Sequence, residues 1–139
     1  MKADFLDAHI RHFDDAERLF EANRWANADH LYGMAAECGL KQLMIAFGMN
    51  VDLITGDPVD RNDRFHANQA WTCFESYRSG HHTGVHYLLP PDDPFFDWHV
   101  SQRYAHQTNF SRVVVEPHRK GAESVYELIA KAVLEGIIS

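Results

Sequence analysis

One uninterrupted stretch, residues 26–47 (ANADHLYGMAAECGLKQLMIAF), constrains the fold more than any other part of the chain. It is rich in alanine and leucine and contains no proline, so it is predicted to form a long α-helix. Small residues recur between large apolar ones, which lets neighbouring helices approach on more than one side. Glu37 and Lys41 are four residues apart with the acid first, and this spacing predicts an ion pair along one narrow polar strip. The pattern indicates a central helix and not a surface helix.

The segment before this stretch predicts an antiparallel helical hairpin. Residues 3–22 carry apolar side chains along one stripe and charged side chains on the opposite face, as in an amphipathic helix. Only residues 23–25 separate this helix from the central one. A connection that short joins antiparallel neighbours.

A third helix and a long irregular insert are predicted next. The pair Asp57–Pro58 has the features of a helix start, since aspartate caps free amides and proline fits the first turn. The third helix is therefore predicted from there to about Tyr77. Residues 81–102 show no helical period and are interrupted by glycine and proline. Their aromatic side chains favour a loop that is packed onto the bundle.

The end of the chain predicts a last helix over residues 120–138. Residues 112–115 are β-like and Pro117 disfavours a helix before that point. The complete pattern predicts an all-α fold: an antiparallel helical bundle with a long irregular insert before the last helix. At 139 residues, the chain is long enough for one such domain and too short for two.

Composition limits the classes of function that the chain can have. There are 13 basic and 20 acidic residues, a formal net charge of −7, which argues against broad, charge-driven binding of nucleic acids. Cys38 and Cys73 follow no pairing or metal-binding pattern and are predicted to be free thiols. No apolar run approaches the roughly 20 residues of a membrane span, and the acidic N-terminus does not fit a signal peptide. A cytoplasmic protein without membrane association is expected.

Two patches of the sequence resemble the HEPN family of small bacterial and archaeal helical bundles. The patch in the central stretch is similar to the second helix of that family and consists of an alanine followed by His30, Leu31, Gly33, Ala36, Glu37, Cys38, Leu40, Lys41 and Leu43. The other patch is similar to a segment that precedes the last long helix in the family and consists of Trp98, Val100, Arg103 and Tyr104. The resemblance implies a helical bundle that forms a homodimer. It also implies one of two functions, a metal-independent ribonuclease or a non-catalytic domain.

Non-catalytic domains of this family are thought to bind nucleotides or to pair with nucleotidyltransferase domains, and this is the leading hypothesis here. Trp98, Arg103 and Tyr104 place an indole, a guanidinium and a phenol close together, a set that can stack a base and hold a phosphate. Glu37 and Lys41 would support that pocket. The alternative is structural: Trp98 and Tyr104 attach the loop to the core while Arg103 pairs with Glu37.

The second hypothesis is a metal-independent endoribonuclease that acts on RNA. The family's catalytic motif is an arginine followed, after four to six residues, by a histidine; the arginine holds the phosphate and the histidine moves the proton of the 2′-hydroxyl. Three pairs fit this spacing: Arg61 with His66, Arg112 with His118, and Arg24 with His30. About two accidental matches are expected in a chain with this composition. Arg61 and His66 are the preferred catalytic pair, with solvated helix ends as the alternative interpretation.

The third hypothesis is a metal site at His81, His82 and His86. The spacing of His82 and His86 suits one face of a helix, but Gly80 and Gly84 disfavour a helix there. The nearest carboxylates in sequence are at positions 92 and 93. A histidine-rich exposed loop is the preferred interpretation, and no metal or other cofactor is expected.

Overall fold

The computed structural model describes residues 1–139 and confirms the all-α class. Its four α-helices are α1 (Phe5–Glu21), α2 (Trp25–Ala46), α3 (Ala67–Ser79) and α4 (Arg112–Leu134). Four short 3₁₀ segments lie between them: Arg61–Asp63, Gly84–His86, Val100–Tyr104 and Gln107–Asn109. There is no β-strand, and the one isolated bridge joins Val51 to Pro58. None of the helices combines the length and the apolar character needed to cross a membrane.

The predicted hairpin of α1 and α2 is present. Asp4 begins α1, because its carboxylate accepts a hydrogen bond from the Asp7 amide at 3.0 Å. The connection turns at Asn23, whose φ of 60° lies in the left-handed region that asparagine tolerates better than most residues. The two helices then pack along each other in opposite directions.

Helix α2 is the central helix, as predicted. It packs against α1, α3 and α4, and the side chains of Leu40, Leu43 and Met44 are fully buried. Glycines permit two of its close approaches. A Cβ atom on Gly39 would lie 2.5 Å from Val125 Cγ1 of α4, and one on Gly33 would overlap the indole of Trp98. These contacts belong to one core cluster of 23 buried residues.

The start of α3 differs from the prediction. The helix begins at Ala67, whereas Asp57–Pro58 lies in an extended turn that pairs with Val51. The Pro58 carbonyl accepts a hydrogen bond from Arg64 Nε at 2.8 Å. The Asp57–Pro58 pattern predicted the first turns of α3 at these residues, but they form this turn and the 3₁₀ segment that follows it.

The start of α4 also differs, because residues 112–115 are helical and Pro117 lies inside the helix. Ser111 caps the helix through its hydroxyl, which accepts a hydrogen bond from the Val114 amide at 3.4 Å. Pro117 leaves only the Val113 carbonyl without its helical donor, and Val113 is exposed to water. Burial of Val115 and His118 against the rest of the bundle outweighs the weak local propensity. At its other end the helix stops at Leu134, before the predicted end at residue 138.

Buried aromatic side chains attach the long insert to the bundle, as predicted. Tyr87, Phe95 and Trp98 are almost completely buried. Trp98 Nε1 donates a hydrogen bond to the Asp29 carbonyl of α2 at 3.1 Å. Tyr104, by contrast, is 78% exposed and does not attach the loop to the core. The insert therefore lies along α2 and brings the Val100–Tyr104 segment to the surface beside it.

Candidate functional site

Glu37 and Lys41 form the predicted ion pair, but the pair is buried. Lys41 Nζ lies 3.4 Å from Glu37 Oε2, and both side chains are more than nine-tenths buried. The other carboxylate oxygen of Glu37 accepts a hydrogen bond from His66 Nδ1 at 2.9 Å. The expected alternative pairing of Arg103 with Glu37 is wrong, since histidine and lysine occupy the carboxylate.

The other three residues of the predicted pocket do not share one cavity with this pair. Trp98 is buried against Gly33, and its indole stacks on the imidazole of His30 with 5.8 Å between ring centroids. That ring is therefore covered and is not free to stack a base. Arg103 and Tyr104 lie at the surface, where the guanidinium carbon is 4.8 Å from the centroid of the phenol ring.

Arg103 instead lines a cleft of about 460 Å³ at the start of α2. One wall is the beginning of α2. The other wall is formed by the two 3₁₀ segments that precede α4, Val100–Tyr104 and Gln107–Asn109. We refer to it as the α2 cleft. Its lining residues are Asn23, Arg24, Trp25, Ala26, Asn27, Gln102, Arg103, Ala105, Gln107 and Thr108.

The electrostatics of the α2 cleft favour an anion. Arg24 and Arg103 both line it, and neither forms an ion pair with a carboxylate. No side chain caps α2, and its first turn contains no acidic residue. The amides of residues 25–27 consequently have no acceptor within the chain. Two arginine residues and the positive end of a long helix thus line the same cavity.

The lining also limits what chemistry the cleft can perform. Apart from the two arginines, its polar side chains are the amides of Asn23, Asn27, Gln102 and Gln107 and the hydroxyl of Thr108. None of these is a general base, and no carboxylate, histidine or cysteine lines the cavity. The arrangement is suited to binding and orienting an anionic ligand through hydrogen bonds.

The preferred ribonuclease pair does not converge in a cleft. Arg61 is exposed on the 3₁₀ segment before α3 and lines a shallow groove along that helix, but His66 is not among the lining residues. Instead, His66 is half-exposed and its Nδ1 contacts the buried carboxylate of Glu37. That contact orients the imidazole, as the partner of a general base would.

The two other arginine–histidine pairs are likewise separated. Arg112 is exposed and lies 3.9 Å from Glu116, whereas His118 is buried in the interior. Arg24 lines the α2 cleft, but His30 does not. Burial, followed by the positive charge of Arg103, lowers the pKa of His30, so this imidazole is neutral near neutral pH.

A buried polar cluster next to the cleft was not predicted from the sequence. His118 of α4 donates hydrogen bonds from both ring nitrogens, to Asp29 of α2 at 2.6 Å and to Asp97 of the insert at 2.8 Å. The second oxygen of Asp29 accepts a hydrogen bond from Gln102, a residue that lines the cleft. Asp29 is 1% exposed, whereas the Asp97 side chain is 57% exposed. We refer to Asp29, His118 and Asp97 as the His118 cluster.

The His118 cluster holds a protonated imidazole in the interior. Burial acts to lower the pKa of His118, but the hydrogen bonds and negative charges of Asp29 and Asp97 outweigh it and raise that pKa. With both nitrogens donating to carboxylates, the ring cannot accept a proton from a substrate. The cluster therefore connects α2, α4 and the insert and positions the cleft wall. The one local signal for it was that His118 occupies the apolar stripe of α4, between Val115 and Ala122.

The three histidines considered as a metal site are not arranged around one point. His81 Nδ1 accepts hydrogen bonds from the amides of Thr83 and Gly84, at 3.1 and 3.2 Å, and so supports a turn of the backbone. The rings of His81 and His82 stack on each other with 4.5 Å between centroids. No group of three or more histidine, cysteine or acidic side chains is arranged to hold a metal ion anywhere in the chain.

No protein-family model, curated protein or solved structure matches the chain. The HEPN resemblance therefore rests on residues of this sequence alone. What the chain binds is inferred from the chemistry of the α2 cleft.

Proposed function

We propose that the protein is a non-catalytic, accessory HEPN-like domain that binds the phosphate of a nucleotide-like ligand in the α2 cleft. The observation that carries the proposal is the pair Arg24 and Arg103, two arginine residues without a carboxylate partner that line one cavity. The uncapped amides at the start of α2 add hydrogen-bond donors for the same phosphate.

Size and charge favour a small ligand over a long nucleic acid. A volume of about 460 Å³ falls within the range of small-molecule sites. The net charge of −7 opposes a polyanion that extends over the surface beyond the cleft. Tyr104 lies next to Arg103 but outside the lining of the cleft, and its exposed ring can stack a base that extends out of the cavity. A mononucleotide or the end of a short oligonucleotide meets these conditions.

Titration with a panel of adenine and guanine mononucleotides, with inorganic phosphate alone as a further probe, tests the proposal by calorimetry. We expect Arg24→Ala and Arg103→Ala each to weaken nucleotide binding by about tenfold or more, because each removes a charge-assisted hydrogen bond to phosphate. Arg61→Ala is the matched control, since Arg61 is also exposed and without an ion partner but lies outside the cleft. The proposal is wrong if no member of the panel binds at millimolar concentration, or if all three variants bind like the wild type.

A nucleotidyltransferase-type partner is compatible with this proposal, because accessory domains that resemble this chain are expected to pair with such proteins. The α2 cleft would then present the nucleotide to the partner's active site. Co-purification of the wild type and Arg103→Ala with a candidate partner, with and without nucleotide, distinguishes pairing that needs the ligand from pairing that does not.

A metal-independent endoribonuclease is the second candidate, and the contact of His66 with buried Glu37 favours it. A carboxylate that orients a half-exposed imidazole is a common element of acid–base catalysis. We nevertheless expect the wild type to leave single-stranded RNA intact in the presence of EDTA, because Arg61 and His66 do not line a common cavity. If the wild type cleaves the RNA and both His66→Ala and Arg61→Ala abolish the cleavage, the endoribonuclease becomes the preferred function in place of the non-catalytic domain.

A further inference from the structure

A second cavity lies along α3, apart from the α2 cleft. It is a shallow groove of about 670 Å³ between the helix and residues 61–65, which precede it. We refer to it as the α3 groove. Asp63 holds the preceding segment beside the helix, because its carboxylate accepts a hydrogen bond from the Tyr77 hydroxyl at 2.7 Å. The groove thus has two walls, and it shares no lining residue with the α2 cleft.

One wall of the α3 groove is positively charged, on a chain that is acidic as a whole. Arg61 and Arg64 line the groove, and no carboxylate lines it. Neither arginine forms an ion pair within the chain. The two neighbouring carboxylates are engaged elsewhere: Asp60 accepts a hydrogen bond from the Asn62 amide at 2.9 Å, and Asp63 is buried. Both arginines are therefore available to a negatively charged group of another molecule.

The other wall, formed by α3, offers hydrogen bonds but no charge. Asn68, Gln69 and Thr72 line it, and their side chains form no hydrogen bond within the chain. A carboxamide has both donors and an acceptor, so it can pair with the N–H and C=O groups of a peptide backbone. Phosphate oxygens only accept hydrogen bonds and would leave the carboxamide oxygens without a donor. This wall therefore suits a peptide backbone.

Length and composition also favour an extended peptide over a single-stranded nucleic acid. From Asn68 to Ser76 the groove follows α3 for about 12 Å, at about 1.5 Å per residue. About three to four residues of extended peptide cover that length. Sites for single-stranded nucleic acids stack bases on aromatic rings, whereas Phe65, the one aromatic residue of the lining, is half-buried and packs against the core.

We propose that the α3 groove binds a short, extended, acidic segment of a partner protein. The carboxylates of the segment contact Arg61 and Arg64, and its backbone pairs with the carboxamides of Asn68 and Gln69. The proposal is independent of the ligand in the α2 cleft, because the two surfaces share no residue. Binding through exposed charges should weaken as the salt concentration rises.

Amide NMR spectra of the isotope-labelled protein, titrated with two pools of end-blocked pentapeptides, provide the test. Each peptide of the acidic pool contains two neighbouring aspartates or glutamates, and the neutral pool has asparagine or glutamine in their place. At millimolar concentration we expect the acidic pool to shift amide signals of residues 61–76 and to leave the rest of the spectrum unchanged. The neutral pool should produce no shifts there.

Charge reversal identifies the residues that bind the segment. Arg61→Glu should weaken binding of the acidic pool by about tenfold or more, because it replaces an attraction with a repulsion. The Arg61 side chain is exposed and forms no ion pair, so the fold should be kept. The double variant Arg61→Glu/Thr72→Glu leaves one positive and two negative charges in the groove. It should bind a third pool, with lysine in place of each acidic residue.

The matched control is Arg18→Glu, since Arg18 is also exposed and without an ion partner but lies on α1. It should bind the acidic pool like the wild type. The proposal is wrong if the acidic pool shifts no signal of residues 61–76, if the neutral pool shifts the same signals, or if Arg61→Glu binds like the wild type. A pentauridine oligonucleotide that shifts these signals at lower concentration than the acidic pool would also overturn it, in favour of a nucleic-acid site.

Discussion

Asp29→Ala is expected to lower the free energy of unfolding by about 3–5 kcal/mol, because it leaves the buried, protonated His118 without its main partner. Asp29 is 1% exposed and accepts hydrogen bonds from both His118 and Gln102. Urea denaturation followed by circular dichroism measures the loss. Asp97→Ala is the matched control, since it removes the other carboxylate on the same imidazole from a site that is 57% exposed. That control should cost about 1 kcal/mol or less.

The Asp29–His118 pair makes the free energy of unfolding depend on pH. The pKa of His118 is raised in the folded state, so the folded chain holds this proton more tightly than the unfolded chain. Its contribution is complete below the unfolded pKa of about 6.5 and is lost as the pH rises through the folded pKa. We therefore expect the difference in unfolding free energy between the wild type and Asp29→Ala to be largest near about pH 5.5 and to decrease toward about pH 9.

The comparison with a variant is needed because other histidines act in the opposite direction. Burial lowers the pKa values of His9, His12 and His30, and these residues destabilise the fold as the pH falls below about 6.5. His9 and His12 keep their surroundings in both chains, so their contributions cancel in the difference. His30 does not cancel, because the charge of Asp29 acts to raise its pKa, and its loss adds to the destabilisation of the variant at low pH. Measured in a His30→Ala background, which removes that contribution, a difference that stays constant or that increases with pH would contradict a charged His118 in the interior.

Local periodicity was sufficient to predict the elements that pack through one continuous stripe. The α1–α2 hairpin and the Glu37–Lys41 pair follow from residues three or four positions apart, and the structure contains both. The start of α4 could not be predicted in this way. Pro117 disfavours helix locally, whereas burial of Val115 and His118 by the rest of the bundle requires it.

The candidate site depends on contacts that are distant in sequence, and this is why only part of it was predicted. Arg103 was identified through the HEPN resemblance. Its neighbour in the α2 cleft is Arg24, which lies far from it in the sequence, before the start of α2. Trp98 was expected in the pocket and is instead buried beneath it. Asp29 and His118 are 89 positions apart, and no spacing rule connects them.

Gly33→Ala is expected to destabilise the protein by about 2–3 kcal/mol, although the same change in a helix interior normally stabilises by up to about 1 kcal/mol. The added Cβ would overlap the indole of Trp98. That ring has little freedom to move, because it is buried and its Nε1 donates to the Asp29 carbonyl at 3.1 Å. Urea denaturation measures the stability, and Gly80→Ala is the control, since a Cβ there meets only the Ser76 carbonyl at 3.6 Å.

The consequence of Gly33→Ala should extend to ligand binding, because Trp98 anchors the segment that carries Arg103. A displaced indole shifts the Val100–Tyr104 segment away from α2 and widens the cleft, so nucleotide affinity should fall together with stability. A double-mutant cycle isolates the cause: in a Trp98→Leu background the cost of Gly33→Ala should become smaller, since the overlapping ring is gone. If Gly33→Ala is neutral or stabilising in the wild type, the indole is not held against α2, and the wall of the α2 cleft is not fixed by the core as we infer.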